Sequence, residues 1–236
     1  MKTVQEWLEQ FNLLYDNITS GQAPGLTEEE ICTFLTQAQD QIVDGIYSGN
    51  LITGGYETDE RAREILAPLN QYIRVEGSVT VGDTIQEDDL EYYGYKKIRV
   101  NLDADDNDKS YERIRYKTVQ YFSYDGKTYQ VIPIKRDDLL RTLPNPFRGG
   151  NRFRVITIDG EESTEDNRVV DLFYKFKGND FDTSKVVYTM HYIRNPKPFE
   201  YDSTTVKTAI GCELPEEIHN TILTTAVNLA KAVWKA

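Results

Sequence analysis

Histidine and cysteine are scarce in this chain, with two of each among 236 residues. His191 falls within a strand pattern, and we expect His219 on the exposed flank of the last helix, so neither is expected to act in catalysis or bind a metal. Cys32 and Cys212 are far apart and outside any CxxC spacing. This predicts two unpaired thiols in a protein made in a reducing compartment.

The motifs of the common enzyme families are also missing. The sequence contains no GxxxxGK[ST], GxGxxG, GxSxG or HExxH pattern. No apolar run approaches the roughly 20 residues that span a bilayer, and the polar N-terminus shows no signal peptide. We therefore expect a soluble, non-enzymatic protein without cofactor, metal or membrane contact, made in the cytosol.

Basic residues are fewer than acidic residues in this chain. Lysine and arginine number 27 against 39 aspartates and glutamates, which gives a formal net charge of −12. Such a chain is repelled by phosphate backbones and anionic membranes. The charge therefore disfavours general binding to nucleic acid. It is compatible with a surface along which DNA passes without being bound.

Two acidic clusters have the composition of metal sites. Residues Asp103 to Asp108 begin like an EF-hand loop, but Asp108 stands where glycine is needed and Ile114 where the bidentate glutamate belongs. The second cluster, within residues 161–166, suits a hairpin tip. Solvated acidic loops are the simpler interpretation, and calcium binding or a metal-dependent hydrolase or nuclease remains the alternative.

Basic residues gather in the middle of the chain. Arg148, Arg152 and Arg154 lie close to Phe147 and Phe153 in the sequence, and we take Phe147 and Arg148 as candidates for docking a partner. Arginine mixed with aromatics also suits nucleic-acid binding, and a charged strand edge that resists pairing is a third interpretation. The net negative charge favours an acidic partner surface over nucleic acid.

Helical periodicity marks both ends of the chain. The first apolar stripe comprises Val4, Trp7, Leu8, Phe11, Leu14, Tyr15 and Ile18. A second helix begins at Thr27, which with Glu30 forms a predicted capping box, and ends at Gly49. A short third helix is predicted from about Thr58, as its cap, to Ala67.

Alternating patterns predict strands between these helices. Runs at residues 72–81, 97–102, 152–158, 169–176 and 186–194 read as strands. The strongest signal is a hairpin in which two aromatic-rich runs, 116–124 and 127–134, flank Asp125-Gly126, because Asp-Gly suits a type I′ turn. A short helix is predicted around residues 137–143.

The last helix is predicted to begin at Pro215 and to carry one apolar face. That face comprises Ile218, Ile222, Leu223, Ala226, Leu229, Ala230 and Val233. Leu229, Val233 and the following Trp234 are candidates for docking on a neighbouring protein, since tryptophan is enriched at interface hot spots. The alternative is that the helix packs back on the N-terminal helices.

These elements predict a single α+β domain. Its parts are a helical segment over 1–69, a mostly antiparallel β-rich segment over 70–210, and a C-terminal helix within 211–236. The 16 tyrosines suit strands and protein–protein interfaces alike.

Three segments resemble the neck ring or adaptor proteins of crAss-like short-tailed phages. They are the opening helix with the stretch Asn17 to Thr27, the stretch Leu143 to Arg148, and the ending from Cys212 to His219 that runs into Leu229-Ala230-Lys231-Ala232. Together they cover both termini and the middle of the chain.

The resemblance implies a virion structural protein at the junction of head and tail. It implies a cyclic homo-oligomer of twelve copies joining portal to tail, bound to the portal and other neck or tail proteins, and lining a channel that passes double-stranded DNA without reading its sequence. The family offers no catalytic residues. Alternatives are a head-completion or tail-hub protein, a metal-dependent hydrolase or nuclease, and a monomeric binding module.

Overall fold

A computed structural model describes residues 2–18, 25–77, 79–81, 95–102, 114–142, 145, 154–159, 169–175, 181–206, 209 and 211–235. These residues form two compact units. The first contains the described residues within Met1–Asn70, Lys109–Arg115 and Ile193–Ala236. The second contains those within Gln71–Asp108 and Tyr116–Tyr192.

Helices dominate the first unit. They are α1 (Val4–Ile18), α2 (Glu28–Ser48), α3 (Gly55–Thr58) and α4 (Glu60–Leu66), followed by a 3-10 turn at Ala67–Leu69. Most of the apolar face predicted for α1 is buried, as expected from its spacing, but Leu14 is exposed and the side chain of Ile18 lies outside the described residues.

The capping box of α2 is confirmed. The Thr27 hydroxyl accepts from the Glu30 backbone N–H at 3.3 Å, and the Glu30 carboxylate accepts from the Thr27 N–H at 2.8 Å. Gly49 ends the helix with a φ of 83°, a left-handed conformation that glycine adopts without steric cost. Both ends of α2 therefore follow from side-chain chemistry visible in the sequence.

The predicted cap of the third helix was wrong. Thr58 closes the separate turn α3, and Asp59 caps α4 through its carboxylate, which accepts from the N–H groups of Arg61 and Ala62 at 2.8 and 3.3 Å. An aspartate accepts two such bonds at once and also favours the positive end of the helix. It is therefore the stronger cap of the two neighbours.

An eight-stranded sheet makes up most of the second unit. Its strands are β1 (Asn70–Glu76), β2 (Val79–Val81), β3 (Tyr95–Asn101), β4 (Ile114–Tyr124), β5 (Lys127–Pro133), β6 (Arg154–Asp159), β7 (Val169–Lys175) and β8 (Val186–Arg194). The order across the sheet is β1-β8-β4-β5-β6-β7-β3-β2. Pairing is antiparallel for β2–β3, β3–β7, β4–β5 and β6–β7, and parallel for β5–β6.

The hairpin joining β4 and β5 matches its prediction. Asp125 and Gly126 both have positive φ, 49° and 75°, as a type I′ turn requires. The turn sets the register in which Tyr121 lies opposite Gln130. It thereby decides which side chains of the two strands share a face.

One face of the sheet is a continuous core. Phe122, Tyr188, Leu172 and Ile98 are fully buried on it. The opposite face is covered at β3, β6 and β7, where Tyr95, Ile156 and Phe173 cluster with Leu139. Leu139 begins the short helix α5 (Leu139–Thr142), which lies in the parallel crossover from β5 to β6.

The chain ends in α6 (His219–Lys235), preceded by a 3-10 turn at Glu216–Ile218. Pro215 is the cap of that turn, one position before its predicted place inside the helix. Helices at both ends with a mixed, mostly antiparallel sheet between them confirm the predicted α+β class. That the chain folds as a single domain stays a prediction.

Candidate assembly surfaces

The five side chains predicted to dock a partner have different positions. Phe147 and Arg148 lie outside the described residues, as does the side chain of Trp234. Leu229 is half-buried on α6, and Val233 is 68% exposed near its end. Only Val233 is thus shown at the surface, and the docking role of all five remains a prediction.

Most of the apolar face of α6 belongs to the core of the first unit. Ile222, Leu223, Ala226 and Ala230 are buried, and α6 packs on both α1 and α2. The alternative in which this helix packs back on the N-terminal helices therefore holds for this stretch. A docking role can apply only to the last turns.

His219 is buried rather than exposed, which corrects its prediction. The side chain is 1% exposed, and its Nε2 lies 2.9 Å from the carbonyl oxygen of Leu214. A carbonyl only accepts, so Nε2 carries the hydrogen. The imidazole also contacts the ring of Trp7, with centroids 4.8 Å apart. Burial lowers the pKa of His219, so the side chain is a neutral part of the core.

Two arginines of the first unit are held by carboxylates. Arg115 bonds Asp40 and Asp44 at 2.5 and 2.9 Å, and Arg194 bonds Glu213 through two nitrogens at 2.9 and 3.0 Å. Burial opposes the charge of Arg115, but its bonds to Asp44 and Asp40 raise its pKa above the ordinary value. Charges paired in this way fix chain segments and leave no reactive group.

The second unit has a comparable buried ion cluster. Asp171 accepts from Lys97 at 3.1 Å and from Arg99 at 3.0 Å, and both Asp171 and Lys97 are buried. The three side chains satisfy one another across β3 and β7, where Arg99 lies opposite Asp171. This arrangement is typical of a structural ion cluster.

Among the described residues, no group of three or more histidines, cysteines, aspartates or glutamates is placed to hold a metal. The acidic clusters at 103–108 and 161–166 both lie outside the described residues.

The two cysteines are unpaired and buried, and burial raises the pKa of each thiol to about 11. Such thiols are poor nucleophiles. In the described part of the chain, no helix is long and apolar enough to cross a membrane.

Exposed apolar side chains point instead to surfaces for other proteins. On β8 the alternate residues Val186, Tyr188 and Met190 are buried, whereas Val187 and His191 on the other face are only half-buried. This is the strict alternation of a sheet with one covered and one uncovered face.

Neighbouring strands extend that uncovered face. The Tyr188 hydroxyl donates to Gln120 at 2.7 Å on the buried side, so Val119 and Tyr121 project from the other side, where each is 41% exposed. Tyr72 of β1 lies beside His191, with ring centroids 5.9 Å apart, and is 65% exposed.

We call this surface the open face. It comprises the outward side chains of β1, β8, β4 and β5: Tyr72, Arg74, Glu76, Val187, Thr189, His191, Lys117, Val119, Tyr121, Ser123, Thr128, Gln130 and Ile132. Its one carboxylate among these strand residues, Glu76, is 2.5 Å from Arg74. The open face is therefore aromatic and nearly neutral in a strongly acidic chain.

A second exposed surface lies on α1. Glu6, Glu9, Leu13 and Asp16 recur at three- and four-residue steps and form one stripe, which we call the α1 stripe. Leu13 is 64% exposed, and α1 contains no lysine or arginine. Neither surface was predicted from the sequence, although the period-2 pattern of β4 was visible in the hairpin.

Comparison with known proteins agrees with the resemblance found in the sequence. A family model described as phage tail ring protein 3/4 matches residues 1–236. Ring protein 3 of Bacteroides phage crAss001 is 30% identical over 239 residues, which cover 97% of this chain and 94% of that protein. Ring protein 4/5 of the same phage is 31% identical over 250 residues, covering 98% and 93%. These matches confirm the resemblance to crAss-like neck ring proteins, and the chain belongs to the phage tail ring protein 3/4 family.

Proposed function

We propose that the protein is a non-enzymatic structural component of a phage virion, one subunit of a cyclic ring in the neck between portal and tail. The observation that carries the proposal is the family match over residues 1–236, together with two relatives that are themselves called ring proteins. Both relatives align over nearly their whole length, so the proposal concerns the whole chain.

The described surfaces support an assembly role. A subunit in a closed ring contacts two neighbours through two different patches of its own surface. The open face and the α1 stripe are two such patches, each on a regular element that holds its exposed side chains in fixed positions. Exposed apolar groups of this kind are typical of protein–protein contacts.

Charge supports the proposed place on the path of DNA. A net charge of −12 per copy gives an assembled ring a strongly negative field. A channel lined by such subunits passes double-stranded DNA without retaining its phosphates. We propose twelve copies, to match a twelve-fold portal, with the chain made in the host bacterial cytoplasm and resident at the neck.

Electron cryomicroscopy of purified particles tests location and copy number together. The reconstruction of the neck is computed without imposed symmetry, and the chain is located by its α1, α2 and eight-stranded sheet. We expect twelve copies around the neck axis. Six copies would contradict the proposed symmetry, and density on the capsid shell or in the tail hub would contradict the proposed position.

The absence of catalysis is a separate part of the proposal. Nuclease, hydrolase and nucleotide-turnover assays with magnesium, manganese or calcium should give no activity above a buffer control. Turnover that is abolished by replacing Asp103 and Asp105 with asparagine would favour the metal-dependent hydrolase instead. The double variant is a matched control, because asparagine keeps the size of each side chain.

A further inference from the structure

We propose that the α1 stripe of one copy docks on the open face of the next copy, as the head-to-tail contact of the ring. The inference rests on the proposed ring, and it adds which surfaces meet. It is carried by the uncovered half of the sheet, by the charges of the two surfaces, and by their dimensions.

Among the described residues, side chains cover one half of the outer face of the sheet and leave the other half exposed. Over β6, β7 and β3 the crossover segment supplies Leu139 and Ile134 as a lid on Ile156 and Phe173. Over β1 and β4 the corresponding positions carry Tyr72, Val119 and Tyr121, all exposed. On β8 between them, Val187 and His191 are half-buried. A helix with an apolar side chain is therefore the kind of element that covers this face.

The charges of the two surfaces indicate which element of the next copy covers the open face. Two chains of net charge −12 repel each other, so they meet where carboxylates are fewest or oppose cations. On the open face the only carboxylate among its strand residues, Glu76, is already paired with Arg74, and Lys117 adds a further cation. The tyrosine hydroxyls are donors for charge-assisted bonds to a carboxylate.

The α1 stripe has the complementary chemistry. Carboxylates at Glu6, Glu9 and Asp16 surround the exposed Leu13, and the helix carries no cation of its own. Leu13 supplies an apolar contact for the tyrosines, while the flanking carboxylates accept from hydroxyls and oppose the positive side chains. The carboxylate acceptors of the α1 stripe thus face the hydroxyl donors of the open face, and the apolar side chain of Leu13 faces the aromatic rings.

The dimensions agree. A helix of 15 residues is about 22 Å long. The four strands of the open face span about 14 Å from the first axis to the last. One helix laid across them reaches every strand. Because the two surfaces differ, the contact is heterologous and repeats from copy to copy, which closes a ring if the rotation divides a circle.

Cysteine cross-linking tests this pairing in the full chain. Asn12→Cys, next to Leu13 on α1, and Gln130→Cys, opposite Tyr121 in the sheet, are both at exposed positions and leave the contact side chains of Leu13 and Tyr121 in place. The two variants are made separately and together, and concentrated protein is treated with a short bis-maleimide. The double variant should give a ladder of dimers, trimers and larger species. A mixture of the two single variants should give a dimer and nothing larger. Each single variant alone should stay uncross-linked, since the native cysteines are buried.

Cross-links accumulate irreversibly, so even a weak contact is trapped. Absence of a ladder and of the mixed dimer would overturn the docking, and a dimer from Asn12→Cys alone would replace it with a two-fold contact through α1. Closed rings seen by microscopy without this cross-link would leave the proposed function standing. A ladder without rings would support the docking and contradict the cyclic function.

Charge substitution gives a second readout that does not depend on cysteine. Tyr72→Glu in the double-cysteine background places a new carboxylate opposite the α1 stripe. Because like charges that face each other weaken an interface, this change should reduce the ladder by about fivefold or more, with an unchanged melting temperature. Adding Glu9→Lys and Asp16→Lys should restore it. Glu6 is left intact because it caps α1 by accepting from the Thr3 N–H at 2.8 Å. An unaffected ladder in the Tyr72→Glu variant would contradict the docking.

Discussion

At the scale of single residues, burial determines the chemistry of His219. Its spacing from Ile222, Leu223 and Ala226 places it on the apolar face of α6, so the helical period alone would have indicated burial. The expectation of an exposed side chain followed residue type instead of position. A hydrogen bond from Nε2 to the Leu214 carbonyl makes the neutral ring compatible with the core.

The same burial makes stability depend on pH. Desolvation lowers the pKa of His219 in the folded chain, with Lys2 and the terminal amine acting in the same direction and the Leu214 bond and Glu216 opposing them. The unfolded side chain titrates near 6.5. The unfolded state therefore binds more protons as the pH falls through 6.5, and stability, which is full above that pH, declines below it.

We expect His219→Gln to weaken this decline. Glutamine retains an N–H donor for Leu214 but does not titrate. The measurement is the melting temperature of both proteins between pH 7.5 and 5.5, where the wild type should lose more than the variant. Equal losses would show that other groups dominate and that His219 contributes no linkage.

Thr27 allows a local test of helix capping. Thr27→Ala removes the acceptor for the Glu30 N–H and should cost about 1 kcal/mol of unfolding free energy. Thr33→Ala is the matched control, because Thr33 is an exposed threonine inside the same helix, where its hydroxyl donates back to the Glu29 carbonyl at 3.0 Å. The control should be neutral or slightly stabilising, since alanine is the better helix former. Equal effects in urea unfolding would contradict the capping role.

At the scale of elements, α6 combines a core face with a free end. Ile222 is fully buried, so Ile222→Ala should lower the free energy of unfolding by about 2–5 kcal/mol in urea titration.

Val233 is exposed near the end of α6, so Val233→Asp should leave the melting temperature within about 1 °C. If the last turn docks on a neighbour, the same variant should be incorporated less into particles. Normal incorporation of folded Val233→Asp would contradict the docking role of this residue.

Elements were predictable where one local signal decides them. The capping box fixed the start of α2, and Asp125-Gly126 fixed the hairpin, because both depend on a few adjacent residues. The order of the sheet was not predictable, since the parallel pairing of β5 with β6 and the position of β8 beside β1 depend on contacts distant in sequence. The open face requires that order, which is why it was not found from the sequence.

At the scale of the whole molecule, the chain path links the two units. The first unit is assembled from three separate stretches of sequence and the second from two, so the chain passes between them four times. Neither unit can therefore be excised as one continuous segment. Order in one unit fixes the ends of the stretches that form the other, which reduces the entropy lost when the second unit folds.

This path predicts cooperative unfolding of the whole chain. Tryptophan fluorescence reports on the first unit through Trp7, which is fully buried. Near-UV circular dichroism at the tyrosine wavelengths reports largely on the second unit, which holds the buried Tyr95, Tyr129, Tyr174 and Tyr188. In a urea titration both signals should give the same midpoint. Leu172→Ala, in the buried core of β7, should shift both midpoints together by the equivalent of about 2–5 kcal/mol, although Leu172 belongs to the second unit alone. A shift confined to the circular dichroism would mean that the units unfold independently, and the predicted single domain would then be two.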